Sequence, residues 1–369
     1  MNDARSTRVL TVNAGSSSVK LRLLDGDVVE RSAELPAGSN GFDEAALAAT
    51  LRDWPAPDAA GHRVVHGGTL FSGPVLVTSR VREELGALTD LAPLHQPKSL
   101  AALDAVTELL PHVPAVASFD TAFHATIPPA ASTYAVPAEW RTRWGVRRYG
   151  FHGLSHAYAS RRAAELSGRP PDNLRVVTCH LGAGASLAAV VDGRSVDTTM
   201  GFTPLDGLVM ATRSGSIDPG LVLWLEEHEQ LSPREVATAL EEQSGLTALA
   251  STGDMRVIQA SAAAGDPGAV LALEVYLHSL VAGVATMTAA LGGSDALVFT
   301  GGVGERSAEI RVRAAAGLAF LGIAVDEARN VGPAEDRDIS ASGAAVSTFV
   351  VAAREDLALA REARSICTM

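Results

Sequence analysis

One stretch of this chain occurs twice, and it constrains the fold more than any other feature. Arg8 to Gly26 reads RVLTVNAGSSSVKLRLLDG, and Arg175 to Gly193 reads RVVTCHLGAGASLAAVVDG. Laid together without a gap, Arg8 falls on Arg175, Val9 on Val176, Thr11 on Thr178, Gly15 on Gly182, Asp25 on Asp192 and Gly26 on Gly193. Each copy is an apolar strand, a turn of small residues, a second strand and an Asp-Gly turn, which predicts a β-hairpin. The spacing is too long for a solenoid. It predicts two similar domains that each begin with the same hairpin. A chain of 369 residues can give each domain its own core.

The first turn, Asn13 to Ser18, holds only small groups. Backbone N–H groups and hydroxyls in such a loop can approach an anion, and Gly15 permits dihedrals that other residues resist. Read alone, it is better taken as a solvated serine turn. Gly182 to Ser186 repeats it, with His180 where the first copy has Asn13. Asp295 to Thr300 is an apolar strand feeding a third Gly-rich turn, Gly301 to Gly304, with a helix expected from near Glu305. Together the three turns suggest a bound nucleotide, with the hairpins at its phosphates and the third turn near its nucleoside. No Gly-Lys pair occurs, and no GxGxxG follows a strand into a helix, so the P-loop and Rossmann readings both fall.

A polar connection rich in Ala, Gly and Pro follows the first hairpin. His62 to His66 reads as a short strand, Lys98 to Leu110 as a helix stopped by Pro111, and Val113 to Phe119 as a strand ending in Asp120. A helix is expected from Ser155 to about Leu166, closed by Gly168 and Pro170-Pro171. Thr198 to Pro219 shows little periodicity, and irregular stretches of this length are usually functional when they are this apolar. Ser232-Pro-Arg-Glu235 is a capping box. Val346 to Val351 reads as the last strand and Glu355 to Arg364 as the last helix. Strands alternating with helices after each hairpin predict an α/β fold with two mixed sheets. The most apolar run, Leu271 to Leu291, carries Glu274, His278 and Gly283 and reads as a buried helix rather than a membrane span.

The net charge of −12 disfavours a sequence-independent grip on nucleic acid. An acidic protein that binds anions must concentrate its cations locally. Lysine occurs only at Lys20 and Lys98, so the arginines matter. Arg63, Arg213 and Arg256 stand in or beside irregular segments, where each is a ligand contact or an exposed structural arginine. Asp120 ends a strand, where it suits Mg²⁺ or serves as a helix N-cap. His152 and His156 are four apart, but no HExxH glutamate or paired cysteines support zinc. Gly150-Phe-His152-Gly153 looks instead like a turn presenting one imidazole. Two cysteines, Cys179 and Cys367, make no disulfide framework, and with no visible signal peptide they point to a reducing cytoplasm.

Taken together, these motifs closely resemble the acetate kinase family, within the actin, hexokinase and heat-shock-chaperone ATPase superfamily. The resemblance is carried by Val12 to Ser18, Gly61 to Gly68, Ala92-Pro-Leu-His95, Phe119 to His124, Arg147 to Gly153, Ser195 to Thr198, Met200 to Leu205, Thr212-Arg-Ser-Gly215 and Gly302-Val-Gly-Glu305, in family order along nearly the whole chain. It implies a duplicated actin/hexokinase-like (ribonuclease H-like) two-domain α/β fold with the active site in the interdomain cleft. The first domain would span 1–121 plus 356–369. The second, 122–355, would bind nucleotide and form a homodimer. The implied reaction is Mg²⁺-dependent (or Mn²⁺-dependent) transfer from ATP to acetate, giving ADP and acetyl phosphate. Another short-chain acyl kinase, such as a propionate kinase, and a non-catalytic nucleotide sensor are the alternatives.

By family position, Arg63, Asp120, His152 and Arg213 are catalytic. Asn13, Asp120 and Glu355 hold the metal or its waters. Ser16, Ser18, Lys20, His180, Gly182 and Gly184 line the phosphate track. Gly302, Val303 and Gly304 approach the nucleoside, with Asp254 and Arg256 near the base. Arg63, Val65, Leu94, Phe151 and Pro204 form the acetate site. Five positions depart from the family: Ala183 stands for an asparagine, Leu154 for a threonine, Gln96 for an asparagine, and Ala353-Arg354 for Thr-Asn.

Overall fold

Both copies of the repeated stretch form antiparallel hairpins. β1 (Arg8–Ala14) pairs with β2 (Ser18–Asp25), and β8 (Arg175–Leu181) pairs with β9 (Ala185–Val191). A computed structural model of the chain describes residues 7–367 other than 16, 17, 39, 40, 94, 171 and 334. It divides into two units, the residues up to Ala125 together with those from Arg354 onward, and Thr126–Ala353.

In the first unit the sheet runs β4-β3-β2-β1-β5-β7-β6, with β3 (Val28–Gly38), β4 (Gly41–Phe42), β5 (Ala59–Val64), β6 (Val75–Leu76) and β7 (Ala115–Phe119). β1, β5 and β7 are parallel neighbours. Side chains alternate across the sheet. Leu10, Val12 and Ala14 pack with Leu47 of α1 (Glu44–Arg52) and with Ala102 and Val106 of α3 (Gln96–Leu109). Val9, on the opposite face, packs with Ala360 and Ala363 of the C-terminal helix Glu355–Cys367. By the same alternation Asn13 lies on the face of that helix. Helix and sheet approach closely at Gly61, where a Cβ would sit 3.1 Å from the Leu359 carbonyl oxygen. α2 (Ser79–Ala87) adds Leu85 to a third cluster with Val64 and Phe119.

His62 is 1% exposed in β5, and neither ring nitrogen has a hydrogen-bond partner. Burial lowers the pKa of both His62 and His66 to about 4. The unfolded chain takes up protons below its ordinary histidine value while the folded unit does not. Stability is therefore lost as pH falls from 6.5 through 4. His62 alone should account for about 3 kcal/mol at the bottom of that window. Thermal melts across it should show the fall, and His62→Leu should flatten it; an identical pH dependence in the variant would refute the assignment.

In the second unit the sheet runs β10-β9-β8-β11-β13-β12, with β10 (Arg194–Thr198), β11 (Ala296–Thr300), β12 (Arg337–Asp338) and β13 (Ser347–Val350). β8, β11 and β13 are parallel neighbours. Antiparallel β10-β9-β8 followed by parallel β11 and β13 repeats β3-β2-β1 followed by β5 and β7, so the sequence repeat marks a duplicated fold. The helices are α4 (Pro129–Ser132), α5 (Ala138–Trp144), α6 (Gly153–Ser167), α7 (Pro219–His228), α8 (Pro233–Glu242), α9 (Gly245–Ala250), α10 (Met255–Ala263), α11 (Pro267–Ala290), α12 (Gly301–Arg306), α13 (Ala308–Gly317) and α14 (Glu327–Asn330). α6 packs on β8 and β11, and α11 packs on β8, β9 and β10.

Several expectations hold. α3 and α6 form where the spacing places them, and α6 ends on Gly168 at φ +63°. Both bonds of the Ser232–Glu235 capping box are made. No helix or strand interrupts residues 199–218. Others need correction. The polar connection after the first hairpin contains β3, eleven residues long, and α1. Most β3 side chains are exposed, so its sequence lacks an apolar alternation. The strand read at His62 to His66 begins at Ala59 and ends at Val64. The third Gly-rich turn is the start of α12 itself, and glycine is required at Gly301, where φ is +78° and a Cβ would meet the Leu181 carbonyl oxygen at 2.8 Å. α11 is buried on one face only: Ala269, Leu273, Tyr276, Leu280 and Val284 are covered, while Val270 and Leu271 are 37% and 50% exposed.

Candidate active site

In the first unit four polar residues meet where parallel strands end. Arg63 lies in β5, paired in register with Ser118, and Asp120 follows β7. Arg63 Nε donates to Asp120 Oδ1 at 3.0 Å and Nη2 donates to Oδ2 at 2.5 Å, a two-pronged pair. Arg63 Nη1 donates to Asn13 Oδ1 at 3.1 Å, and Asn13 Nδ2 donates to Glu355 Oε2 at 2.7 Å. Asp120 is 1% exposed. Burial works against the Arg63 charge, but Asp120 and Glu355 outweigh it and hold the guanidinium above its ordinary pKa.

Two carboxylates and an amide oxygen are hard donors of the kind Mg²⁺ takes. Among the described residues no three His, Cys, Asp or Glu side chains cluster as metal ligands. Three such hard donors fit an ion that keeps much of its water, as Mg²⁺ does. Ser18 donates to Glu34 Oε1 at 2.5 Å, which turns its hydroxyl toward β3. Lys20 is exposed opposite Asn13 in the hairpin. Val65 is buried just past β5. Ser16 and Leu94 lie outside the described residues.

In the second unit His152 caps the start of α6 at φ +57°, a left-handed conformation uncommon without glycine. Its Nδ1 lies 2.8 Å from Ser186 Oγ. The His180 ring stacks on it with centroids 4.4 Å apart, and His180 Nδ1 lies 2.8 Å from Ser155 Oγ. Gly184 shows where these groups point. A Cβ there would sit 3.4 Å from His152 Nε2 and 3.6 Å from Arg213 Nη2, so the two side chains border one small space. Arg213 Nη1 donates to the Pro204 carbonyl oxygen at 2.8 Å. Among the described residues Arg213 makes no ion pair within 4 Å. Burial lowers its pKa, and Glu241 offsets part of the fall. A desolvated cation and an imidazole facing one space make a place for an anion.

Phe151 is buried beside His152, and Pro204 is half-buried. Gly182 sits in the hairpin turn facing His180 Nε2. Gly302, Val303 and Gly304 form the first turn of α12, with open space around Gly302. Asp254 caps α10 and pairs with Arg256 at 2.6 Å; the Arg256 side chain is 87% exposed.

Three contributing residues, Ser186, Thr178 and Arg311, had no role assigned from the sequence. Ser186 also lies 2.8 Å from His156 Nε2, and His156 Nδ1 lies 2.7 Å from Thr178 Oγ1. The His152–His156 spacing thus marks two rings that share one hydroxyl. Arg311, 1% exposed, donates to the carbonyl oxygens of Gly304 and Glu305 and so ties down α12. Burial lowers its pKa to about 10. A lone arginine inside a helix gives no sequence signal of that task. Of the departures, Ala183 keeps a backbone bond, accepting from the Ala211 N–H at 3.0 Å, and Leu154 is buried in α6. Arg354 makes a two-pronged pair with Asp356.

A duplicated α/β fold with acidic groups at strand ends and a cation beside a small-residue turn is that of the actin/hexokinase-like ATPase class. Residues 46–361 match the pattern of the Acetokinase family. The chain belongs to that family and is a phosphotransferase with a carboxyl group as acceptor and ATP as a substrate. It is 49% identical to the acetate kinase of Microcystis aeruginosa over 82% of this chain and 75% of that one. Against the acetate kinase of Methanosarcina mazei it is 40% identical over 98% and 97%. Among solved structures, the acetate kinase of Porphyromonas gingivalis superposes with a TM-score of 0.89 at 35% identity, covering 98% of this chain and 100% of that one. A propionate kinase from Francisella tularensis superposes equally well, with the same coverage, at 36% identity.

Proposed function

We propose that the protein is an acetate kinase that transfers the γ-phosphoryl group of ATP directly, in line, to acetate, giving acetyl phosphate and ADP. The observation that carries this reading is the space over Gly184, bordered by His152 Nε2 and Arg213 Nη2. Acetate is ionised at neutral pH and needs no general base. The difficulty is bringing one anion to another. Two unit charges 4 Å apart repel by roughly 4 kcal/mol at an effective dielectric of 20. Fixed cations offset that repulsion and stabilise charge on the transferring group.

In this reading Arg213 and His152 hold the equatorial oxygens of the transferring group. Arg63, oriented by Asp120 and Asn13, binds the acetate carboxylate. By family position, Val65, Phe151 and Pro204 are the residues for its methyl group. Lys20, Ser16, Ser18, His180 and Gly182 follow the phosphates, and Gly302 to Gly304, with Asp254 and Arg256, receive the nucleoside. Asn13, Asp120 and Glu355 would hold Mg²⁺ or its waters, and the bound ion would neutralise phosphate charge.

Gly184→Ala puts a methyl group where a phosphoryl oxygen would sit. It should lower kcat at least tenfold with an unchanged melting curve; wild-type turnover would count against this placement. Hydroxylamine trapping with acetate, ATP and Mg²⁺ tests the reaction itself, and no hydroxamate at high protein concentration would sink it. A propionate kinase is the second reading, with which the likeness to the Francisella structure is compatible. A substrate panel separates the two.

We also infer a homodimer through the second unit. α7 buries no residue, yet Leu221, Leu223 and Trp224 are 44%, 58% and 46% exposed. Such a helix needs a partner surface. Leu223→Glu should convert the dimer to monomer in sedimentation, and an unchanged mass would refute this interface.

A further inference from the structure

Gln96 stands where the family resemblance leads one to expect asparagine, and its surroundings give the extra methylene a task. It is the first residue of α3 and is 0% exposed. Its Oε1 accepts from the His66 N–H at 3.2 Å, while Nε2 donates to the His66 carbonyl oxygen at 3.1 Å and to the Leu85 carbonyl oxygen at 3.3 Å. β5 ends at Val64, so the next peptides have left the ladder. The Gln96 amide makes for His66 the pair of bonds that a neighbouring strand would otherwise supply, and it ties that segment to α2 and α3.

The segment is pinned on both sides of Val65. The Val64 carbonyl oxygen accepts from the Asp120 N–H at 3.2 Å, and the Gly67 N–H donates to Thr121 Oγ1 at 3.0 Å. At Gly67 a Cβ would meet the Phe71 carbonyl oxygen at 2.6 Å, so the backbone has no slack there. Gln96 is the side chain that fixes the peptide immediately after Val65.

We propose that Gln96 is a specificity-setting positioning residue: by clamping His66 it places Val65 and so sets the room available to the acyl chain. The inference rests on the reading of Val65 as a wall of the acetate pocket. Asparagine is one methylene shorter, so from the same helix start its amide would sit farther from the His66 N–H and carbonyl oxygen that Gln96 bonds at 3.2 and 3.1 Å. Gln96→Asn should therefore change the ratio of kcat/KM for acetate to that for propionate by about fivefold to tenfold, in the range that one methylene of pocket space commands. The KM for ATP should stay within about twofold, since Gln96 touches nothing on that side.

Val65→Ala supplies the control. If Gln96 acts through Val65, the double variant should show the ratio of Val65→Ala alone. A changed ratio in Val65→Ala with an unchanged ratio in Gln96→Asn overturns the Gln96 role while leaving the pocket intact. No change in Val65→Ala overturns the pocket reading and the proposal with it. A purely structural Gln96 would lower the melting temperature and scale both substrates equally, which also overturns the proposal.

Discussion

Arg213→Ala is expected to lower kcat by about a thousandfold or more while leaving the melting temperature within a few degrees. The catalytic loss follows from removing a fixed cation next to the transferring group, where such groups contribute about 10³–10⁵ in rate. Fold stability should survive because the native protein gains little from this charge. Arg213 makes no ion pair among the described residues, and burial already disfavours its charged form. Its one side-chain hydrogen bond among the described residues, to the Pro204 carbonyl oxygen, leaves an acceptor unpaired on removal, a cost of about 1–3 kcal/mol partly relieved by water entry. Arg213→Lys keeps the charge but not the fork, and should recover only a small part of the rate. Near-normal turnover in Arg213→Ala would remove this residue from the mechanism.

Arg63→Ala should behave differently, losing activity and stability together. Here the arginine is the counter-charge for Asp120, whose side chain is 2% exposed. Deleting one partner of a buried pair typically costs about 3–5 kcal/mol, because the other charge is left unpaired. Asn13 and Glu355 lose their anchor through the same change. Replacing both partners, as in Arg63→Met with Asp120→Leu, should restore much of the melting temperature and none of the activity. If Arg63→Ala melted like the wild type, the two-pronged pair would not have the role assigned to it. The two variants thus separate an arginine that makes no ion pair among the described residues from one that is paired with a buried carboxylate.

How much of this was readable beforehand depends on the kind of signal. The duplication was legible because β1–β2 and β8–β9 keep the same order of apolar and small residues, which is local information. The helices with caps, α6 and α8, were legible for the same reason. β3 was not, since a mostly exposed strand has no alternation to read. α11 was read as buried because composition does not say which face is covered. Arg63, Asp120, His152 and Arg213 could be named from motifs. Which of the named residues pair with which could not, because the bond of Arg63 to Asp120 spans 57 positions and Asn13 reaches Glu355 across 342. The bonds of Ser186 to two histidines, and of Ser18 to Glu34, depend on strand register and side-chain direction. Gln96 was visible only as a departure until its three bonds gave it a place.

The most direct test follows the acceptor oxygen. Acetate carrying heavy oxygen is incubated with the protein, ATP and Mg²⁺, and the products are followed by phosphorus NMR. Direct attack by the carboxylate predicts ADP and acetyl phosphate, with one acetate oxygen in the new P–O bond. Formation of AMP, or of acetyl phosphate without that label at phosphorus, would contradict direct transfer.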